Sequence, residues 1–189
     1  MLRVFESVGA SAFDLTMTNE SGQKHEFQRQ SSSEDLNGRL SKLLKDCEKQ
    51  QLNLIVRPIL QDDLRLVQLD DLDRQQCDRI KHLALLVIET SPHNYQAWLA
   101  IEECDKPTER RLKIGIGADR QASGATRLAG SLNFKEKYSP NYPRVRIAHV
   151  SPGRIVRLSE IQPFLPDGCP PPHAPSAPIG GKRARSNTP

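Results

Sequence analysis

Leu83-Ala84-Leu85-Leu86-Val87-Ile88-Glu89, Thr90-Ser91-Pro92-His93-Asn94 and Tyr95-Gln96-Ala97-Trp98-Leu99-Ala100-Ile101-Glu102 follow one another without a break. The first segment is a continuous apolar run of strand length, which is how a strand buried on both faces reads. The second carries Ser, Pro and Asn, residues that turn a chain. The third returns, so the three predict a β-hairpin with strands over 83–89 and 95–102.

Working upstream, Leu64 to Leu69 predicts a strand that runs straight into Asp70 and Asp71. Asp73 is placed to cap a helix over about 74–82. Asn53 to Arg57 predicts another strand, and Pro58 limits its pairing. Leu36, Leu40, Leu43, Leu44 and Cys47 recur at helical spacing behind a Ser31/Glu34 capping box, so 34–50 is predicted as an amphipathic helix. Residues 2–18 alternate loosely and predict one or two strands, with Gly9 and the stretch Asn19 to Gly22 as turns. Downstream, Thr108 to Gly117 has helical spacing of Leu112 and Ile116, weakened by Gly115. Residues 118–143 form the longest irregular stretch. Val145 to Val150 predicts a late strand, and Ser159 is read as the cap of a short final helix. Strands and helices alternate with hairpins mixed in and no repeat occurs. The expected class is α+β, a mainly antiparallel sheet with helices packed on it.

The chain has 189 residues, 26% charged and 37% hydrophobic, enough for one core and too few for two comfortable ones. Composition breaks after Leu165. Residues 166–189 hold seven of the fourteen prolines and Lys182, Arg183 and Arg185, so a domain over 1–165 and a disordered, basic, Pro-rich tail are expected. Net charge is +4 and the pI about 9.0, which suits a polyanionic partner without identifying one. Cys47, Cys77, Cys104 and Cys169 form no C-x-x-C pair and no zinc-finger spacing, and read as free thiols of a reducing cytosol. No apolar run has membrane-spanning length and the N-terminus carries no signal-peptide pattern, so a cytoplasmic protein is expected.

Three stretches carry candidate chemistry. Val67-Gln68-Leu69-Asp70-Asp71-Leu72-Asp73 ends an apolar strand in carboxylates, which solvent or a divalent cation must compensate. Hard oxygen ligands suit Mg²⁺ or Mn²⁺. On an ideal strand Asp70 and Asp71 point to opposite faces, so they serve one site only if the strand ends or bulges there. Asp73 shares a face with Asp71 and is a reserve candidate. The Thr90–Asn94 turn offers hydroxyls and amides to a triphosphate, or is an ordinary polar turn. Gly117-Ala118-Asp119 precedes a Gly-rich basic loop, Ser123 to Tyr138. Its glycines let backbone amides approach phosphate, Arg127 and Lys135 supply charge, and Phe134 and Tyr138 interleave with basic residues as on a single-strand binding surface. The loop is neither a Walker A motif nor a dinucleotide fingerprint, and no Ser-His-Asp, Cys-His or H-E-x-x-H pattern supports a hydrolase or zinc enzyme.

Taken in order, Leu69-Asp70-Asp71-Leu72, the run Thr90 to Trp98, Gly117-Ala118-Asp119 and the run Ala125 to Lys135 resemble the RepB-like plasmid primases of the archaeo-eukaryotic primase superfamily. The resemblance covers about residues 3–160. It implies an RRM-like catalytic core that makes short primers on single-stranded DNA, in plasmid or mobile-element replication. It implies a Mg²⁺ or Mn²⁺ site of Asp70, Asp71 and Asp119, with nucleotide or DNA contacts from Ser91, His93, Gln96, Arg127, Asn133 and Lys135. The family's middle motif ends in a His that meets the incoming nucleotide. That slot falls on Gln96 by its place before Ala97-Trp98, or on His93 by the Ser-x-His pattern. Implied partners are a single-stranded DNA template, nucleoside triphosphates, and a replicative helicase or polymerase. The alternative is a catalytically degenerate primase fold that only grips single-stranded nucleic acid and recruits replication proteins.

Overall fold

The structure is a computed structural model that describes residues 1–60 and 64–166. Residues 167–189, which include Cys169 and most of the expected tail, lie outside the described residues. The helices are α1 (Leu2–Glu6), α2 (Ser33–Lys49), α3 (Arg74–Ile80), α4 (Lys106–Ile116) and α5 (Leu158–Ile161). The strands are β1 (Ala10–Thr18), β2 (Lys24–Ser31), β3 (Asn53–Leu60), β4 (Arg65–Leu72), β5 (Leu86–Ser91), β6 (Asn94–Ile101), β7 (Thr126–Arg127), β8 (Arg146–Val150) and β9 (Ile155–Val156). They form two sheets, β2-β1-β3-β7 and β4-β6-β5-β8, antiparallel apart from β9, which runs parallel to β6. The expected mainly antiparallel α+β class is what the chain adopts, divided over two sheets. Among the described residues no helix is long and apolar enough to cross a membrane.

The inner strands β5 and β6 of the second sheet are buried on both faces, which explains the unbroken apolar run of β5. Val67, Leu69, Leu72, Val87, Ala97, Leu99 and Ile101 pack against α3, α4 and α5. Leu86, Ile88, Trp98 and Ala100 join a second cluster with Phe13, Leu15 and Leu54 of the first sheet and Leu36 of α2. Phe5 meets Trp98 edge-on at 5.1 Å in the same cluster.

Several local expectations give way to tertiary structure. Residues 2–6 are helical rather than extended, because Leu2, Val4 and Phe5 all bury into one cluster. β2 carried no sequence signal. It is an edge strand, exposed along nearly its whole length, with no buried face to impose alternation. The cap of α2 is Ser32, whose hydroxyl accepts from Asp35 N–H at 3.1 Å. Ser31 is held in the β1–β2 ladder opposite Phe13, so the next hydroxyl in the Ser31–Ser33 run does the capping. α4 starts earlier than expected, at an Asp105 cap (Thr108 N–H to Oδ1, 2.8 Å) with Pro107 in its first turn. Its Gly115 is a packing residue: a Cβ there would lie 1.7 Å from the Phe164 carbonyl oxygen. Ser159 lies inside α5 rather than capping it, and Glu160 holds that helix start by accepting from Arg157 N–H at 2.9 Å.

Candidate active site

The decisive local feature is a β-bulge in β4. Leu69 pairs with Ala97 and Leu72 with Tyr95, so three steps on β4 match two on β6. Leu69 and Leu72 both face the helices, which leaves two consecutive residues, Asp70 and Asp71, to open on the other side. Asp71 takes φ +57°, a left-handed conformation that a short polar side chain tolerates best among non-glycines. A second bulge lies across the hairpin. Glu89 pairs with Tyr95 and Ser91 with Asn94, so Thr90 and Ser91 also reach the same side.

The space they share is a cleft of about 350 Å³ between the two sheets. Its charged lining is Lys24, Arg57, Arg127, Lys135 and Lys137 against Asp14, Asp70 and Asp71, a basic surround with an acidic spot. Asp70 accepts its neighbour's backbone N–H at 2.9 Å, and Asn94 donates to Asp71 at 3.2 Å. Gln96 is buried. Its oxygen accepts the Trp98 indole N–H at 3.0 Å, and its amide donates to Asp70. Burial raises the Asp70 carboxyl above the usual carboxylate range. Hydrogen bonds from Asp71 N–H and Gln96 and the charge of Lys135 oppose that rise, and the neighbouring Asp71 charge adds to it. Burial likewise lowers the Arg127 guanidinium, with the Asp70 charge and then Tyr138 pulling it back up. Burial pushes the Tyr138 phenol up, but its hydrogen bonds with Ser91 and Lys137 and the charges of Lys137 and Lys135 bring it below its ordinary value.

Buried amides fix the loop 118–143 over this spot. Gln68 accepts from Gly124 N–H at 2.6 Å and donates to the Ala125 carbonyl at 2.8 Å. Asn53 accepts from Arg127 Nε at 3.1 Å and from Phe134 N–H at 2.9 Å, and donates to the Asn19 carbonyl at 3.1 Å. Asn133 donates to the Thr90 carbonyl at 2.8 Å, and its own side-chain oxygen is buried with no partner. Tyr138 donates to Ser91 at 2.7 Å. Gly117 ends α4 at φ +80° and turns the chain so that Asp119 N–H reaches the Asp70 carbonyl at 3.0 Å.

The cleft therefore gathers Asp70, Asp71, Ser91, Gln96, Arg127, Asn133 and Lys135 of the nine residues singled out in the sequence. Asp119 and His93 do not line it. Asp119 is exposed, and its carboxylate accepts from Gln121 N–H at 2.9 Å in its own turn. His93 sits at φ +62° at the exposed hairpin tip. Asp73, the reserve candidate, is committed to capping α3 through Gln76 N–H at 2.8 Å. Among the described residues no three His, Cys, Asp or Glu side chains converge as a metal site. Phe134 is buried against Tyr142, at 4.8 Å between rings, and so offers no stacking face. Sequence reasoning missed Asn53 and the first-sheet lining of Asp14, Thr16, Thr18, Lys24, Phe27 and Arg57. A signal was present on β1: Asp14, Thr16 and Thr18 alternate with Phe13, Leu15 and Met17, and the polar set faces the cleft.

Solved structures share this architecture. The crystal structure of primase RepB' matches with TM-score 0.64 at 24% identity, over 86% of this chain and 59% of that one. The RepB' catalytic domain in complex with initiator DNA matches with TM-score 0.60 at 24% identity, over 86% and 93%. The AEP domain of the cyanophage S-2L primase-polymerase matches with TM-score 0.53 at 14% identity, over 87% and 96%. At these identities the likeness establishes the fold. Mobilization protein A of Escherichia coli is 29% identical over 148 residues, 72% of this chain and 21% of that protein, so the chain spans about a fifth of that relative's length. The family model of the RepB DNA-primase N-terminal domain matches residues 18–161, which carry strands β2 to β9 and the cleft lining apart from Asp14 and Thr16, and the chain belongs to that family.

Proposed function

We propose that the chain is a metal-dependent nucleotidyltransferase that synthesises short primers on single-stranded DNA, in the replication of a plasmid or other mobile element. The observation that carries this reading is the β4 bulge, which turns Asp70 and Asp71 into one basic cleft. Adjacent carboxylates, one already resisting ionisation through burial, are the donor chemistry that a hard divalent cation relieves. Asp70 and Asp71 would hold Mg²⁺ or Mn²⁺, and Asp119, anchored by its backbone N–H to the Asp70 carbonyl, would supply the third carboxylate. The ion supplies charge neutralisation at the triphosphate and a more acidic attacking hydroxyl. Arg127, Lys135 and Lys137 attract and orient the phosphates, and Ser91 and Gln96 contact the nucleotide from the second sheet. Gln96, locked by Trp98, fills the role left open between it and His93, since it lies beside Asp70 inside the cleft. The buried, unpartnered oxygen of Asn133 is an acceptor for a substrate donor. Kinship in name supports the setting: one relative is a mobilization protein and others are primases. A replicative helicase or polymerase is the expected partner for extension.

A titration tests the site. Mn²⁺ with a fluorescent nucleoside triphosphate is expected to bind saturably to the wild type, and Asp70→Asn/Asp71→Asn is expected to lose the metal-dependent part. Equal metal-dependent binding in both proteins would contradict the assignment. The second reading, a degenerate module that only binds single strands and recruits replication proteins, has one observation in its favour: the Asp119 carboxylate is engaged in its own turn, away from the pair.

A further inference from the structure

A register row crosses all four strands of the first sheet: Phe27 opposite Thr16, Thr16 opposite Ile55, and Ile55 opposite Arg127. All four side chains line the cleft. The row spans three interstrand steps, ~14 Å at ordinary strand spacing. At one end Arg127 lines the same cleft as the Asp70–Asp71 pair. The other end is Phe27, 44% exposed, whereas Phe5, Phe13 and Phe134 are buried. Among the described residues it is the one exposed Phe, Tyr or Trp side chain. Lys24 and Arg29 hold their charges 5.4 and 5.6 Å from its centroid. Thr18, one pleat along, faces Lys24, and Arg57 lies on the same wall.

An open aromatic face with cations around it, at the end of a basic groove, is the chemistry that holds single strands: bases stack and the backbone is neutralised. We propose that the open face of the first sheet carries the single-stranded DNA template, one base stacking on Phe27 and the backbone held by Lys24, Arg29 and Arg57, so that the strand runs over Thr16 and Ile55 toward Arg127 and the aspartates. This track rests on the primase reading for its direction, and on Phe27 and its cations for its existence. It moves the stacking platform away from residues 134–138, where the aromatic and basic residues interleave in sequence.

The test is fluorescence anisotropy of a labelled oligo-dT with the full chain in EDTA, so that binding is read without catalysis. Phe27→Ala is expected to bind about tenfold more weakly and Phe27→Trp to restore affinity. Arg57→Gln is expected to flatten the salt dependence by about 0.7 in the log–log slope. The Phe27 effect is expected to be the same in an Asp70→Ala/Asp71→Ala background. Phe27-dependent binding by a protein that makes no primers supports the track and removes the catalytic reading alone. Phe27→Ala binding as tightly as wild type overturns the track. Should Phe27→Ala fail to fold, crosslinking of wild type to bromodeoxyuridine-substituted oligonucleotide decides: peptides from 24–31 support it, and crosslinks confined to 134–138 overturn it.

Discussion

Asp71 donates its backbone N–H to the Asp70 carboxylate at 2.9 Å, and the two side chains open on one cleft although they are neighbours on a strand. The bulge that makes this possible depends on Asp71 holding φ +57°. Asp71→Asn is expected to keep the fold, because Asn also tolerates the left-handed region. Asp71→Val is expected to destabilise by about 1–2 kcal/mol through backbone strain. Urea denaturation of the two variants checks the difference, and equal stabilities would mean that the bulge carries no strain.

Burial sets the ionisation of Asp70 against folding. Its folded-state carboxyl is raised by burial, so ionising it opposes folding, and that penalty grows as pH climbs from the ordinary carboxylate range through the raised folded value. Asp70→Asn removes the penalty. The variant is expected to melt a few degrees (~2–4 °C) above wild type at neutral pH in EDTA, to lose that advantage near pH 4, and to lose primer synthesis. A melting point at or below wild type at pH 7 would contradict the assigned strain.

Gln96 and His93 are separable by mutation. Gln96→Leu strands the Trp98 N–H and deprives Asp70 of a donor, which is expected to cost ~1–3 kcal/mol. Gln96→Ala is expected to raise the KM for nucleoside triphosphate, while His93→Ala, at the exposed turn, leaves it within about twofold of wild type. Steady-state incorporation at varied nucleotide concentration distinguishes them, and the opposite ranking would assign the nucleotide contact to His93.

The Gly117 turn places Asp119 N–H on the Asp70 carbonyl. A side chain there meets Gln76 Nε2 at 2.7 Å from its Cβ and must also hold φ +80°. Gly117→Ala is expected to cost ~1–2 kcal/mol and to lower activity by displacing Asp119 from its anchor on the Asp70 carbonyl. Chemical denaturation and primer synthesis measured together check this. Unchanged activity in a destabilised variant would mean that Asp119 contributes nothing there.

The sequence was readable where a long buried stretch left its mark, and not in the short helix α1, whose buried residues read as a strand. The β5–β6 hairpin, the Asp73 cap and the long amphipathic helix α2 follow from apolar spacing and short-range hydrogen bonding. β2 was invisible because nothing buries it, and that silence also hid Phe27, whose meaning comes from its register with Thr16. Asn53 reads as a strand residue, and only the fold brings it to Arg127 and Phe134, 74 and 81 residues away. The paired aspartates were legible as a pair, but their common direction required the bulge, which no composition rule announces.

Primer synthesis on circular single-stranded DNA, with labelled nucleotides and Mg²⁺ or Mn²⁺, tests the central claim most directly, with a fold-checked Asp70→Ala/Asp71→Ala variant as the control. Short metal-dependent products are expected from the wild type, abolished by EDTA and absent from the variant. Equal product from wild type and variant, or none from the wild type across templates, both metals and both nucleotide types while single strands still bind tightly, would contradict it and leave the binding module.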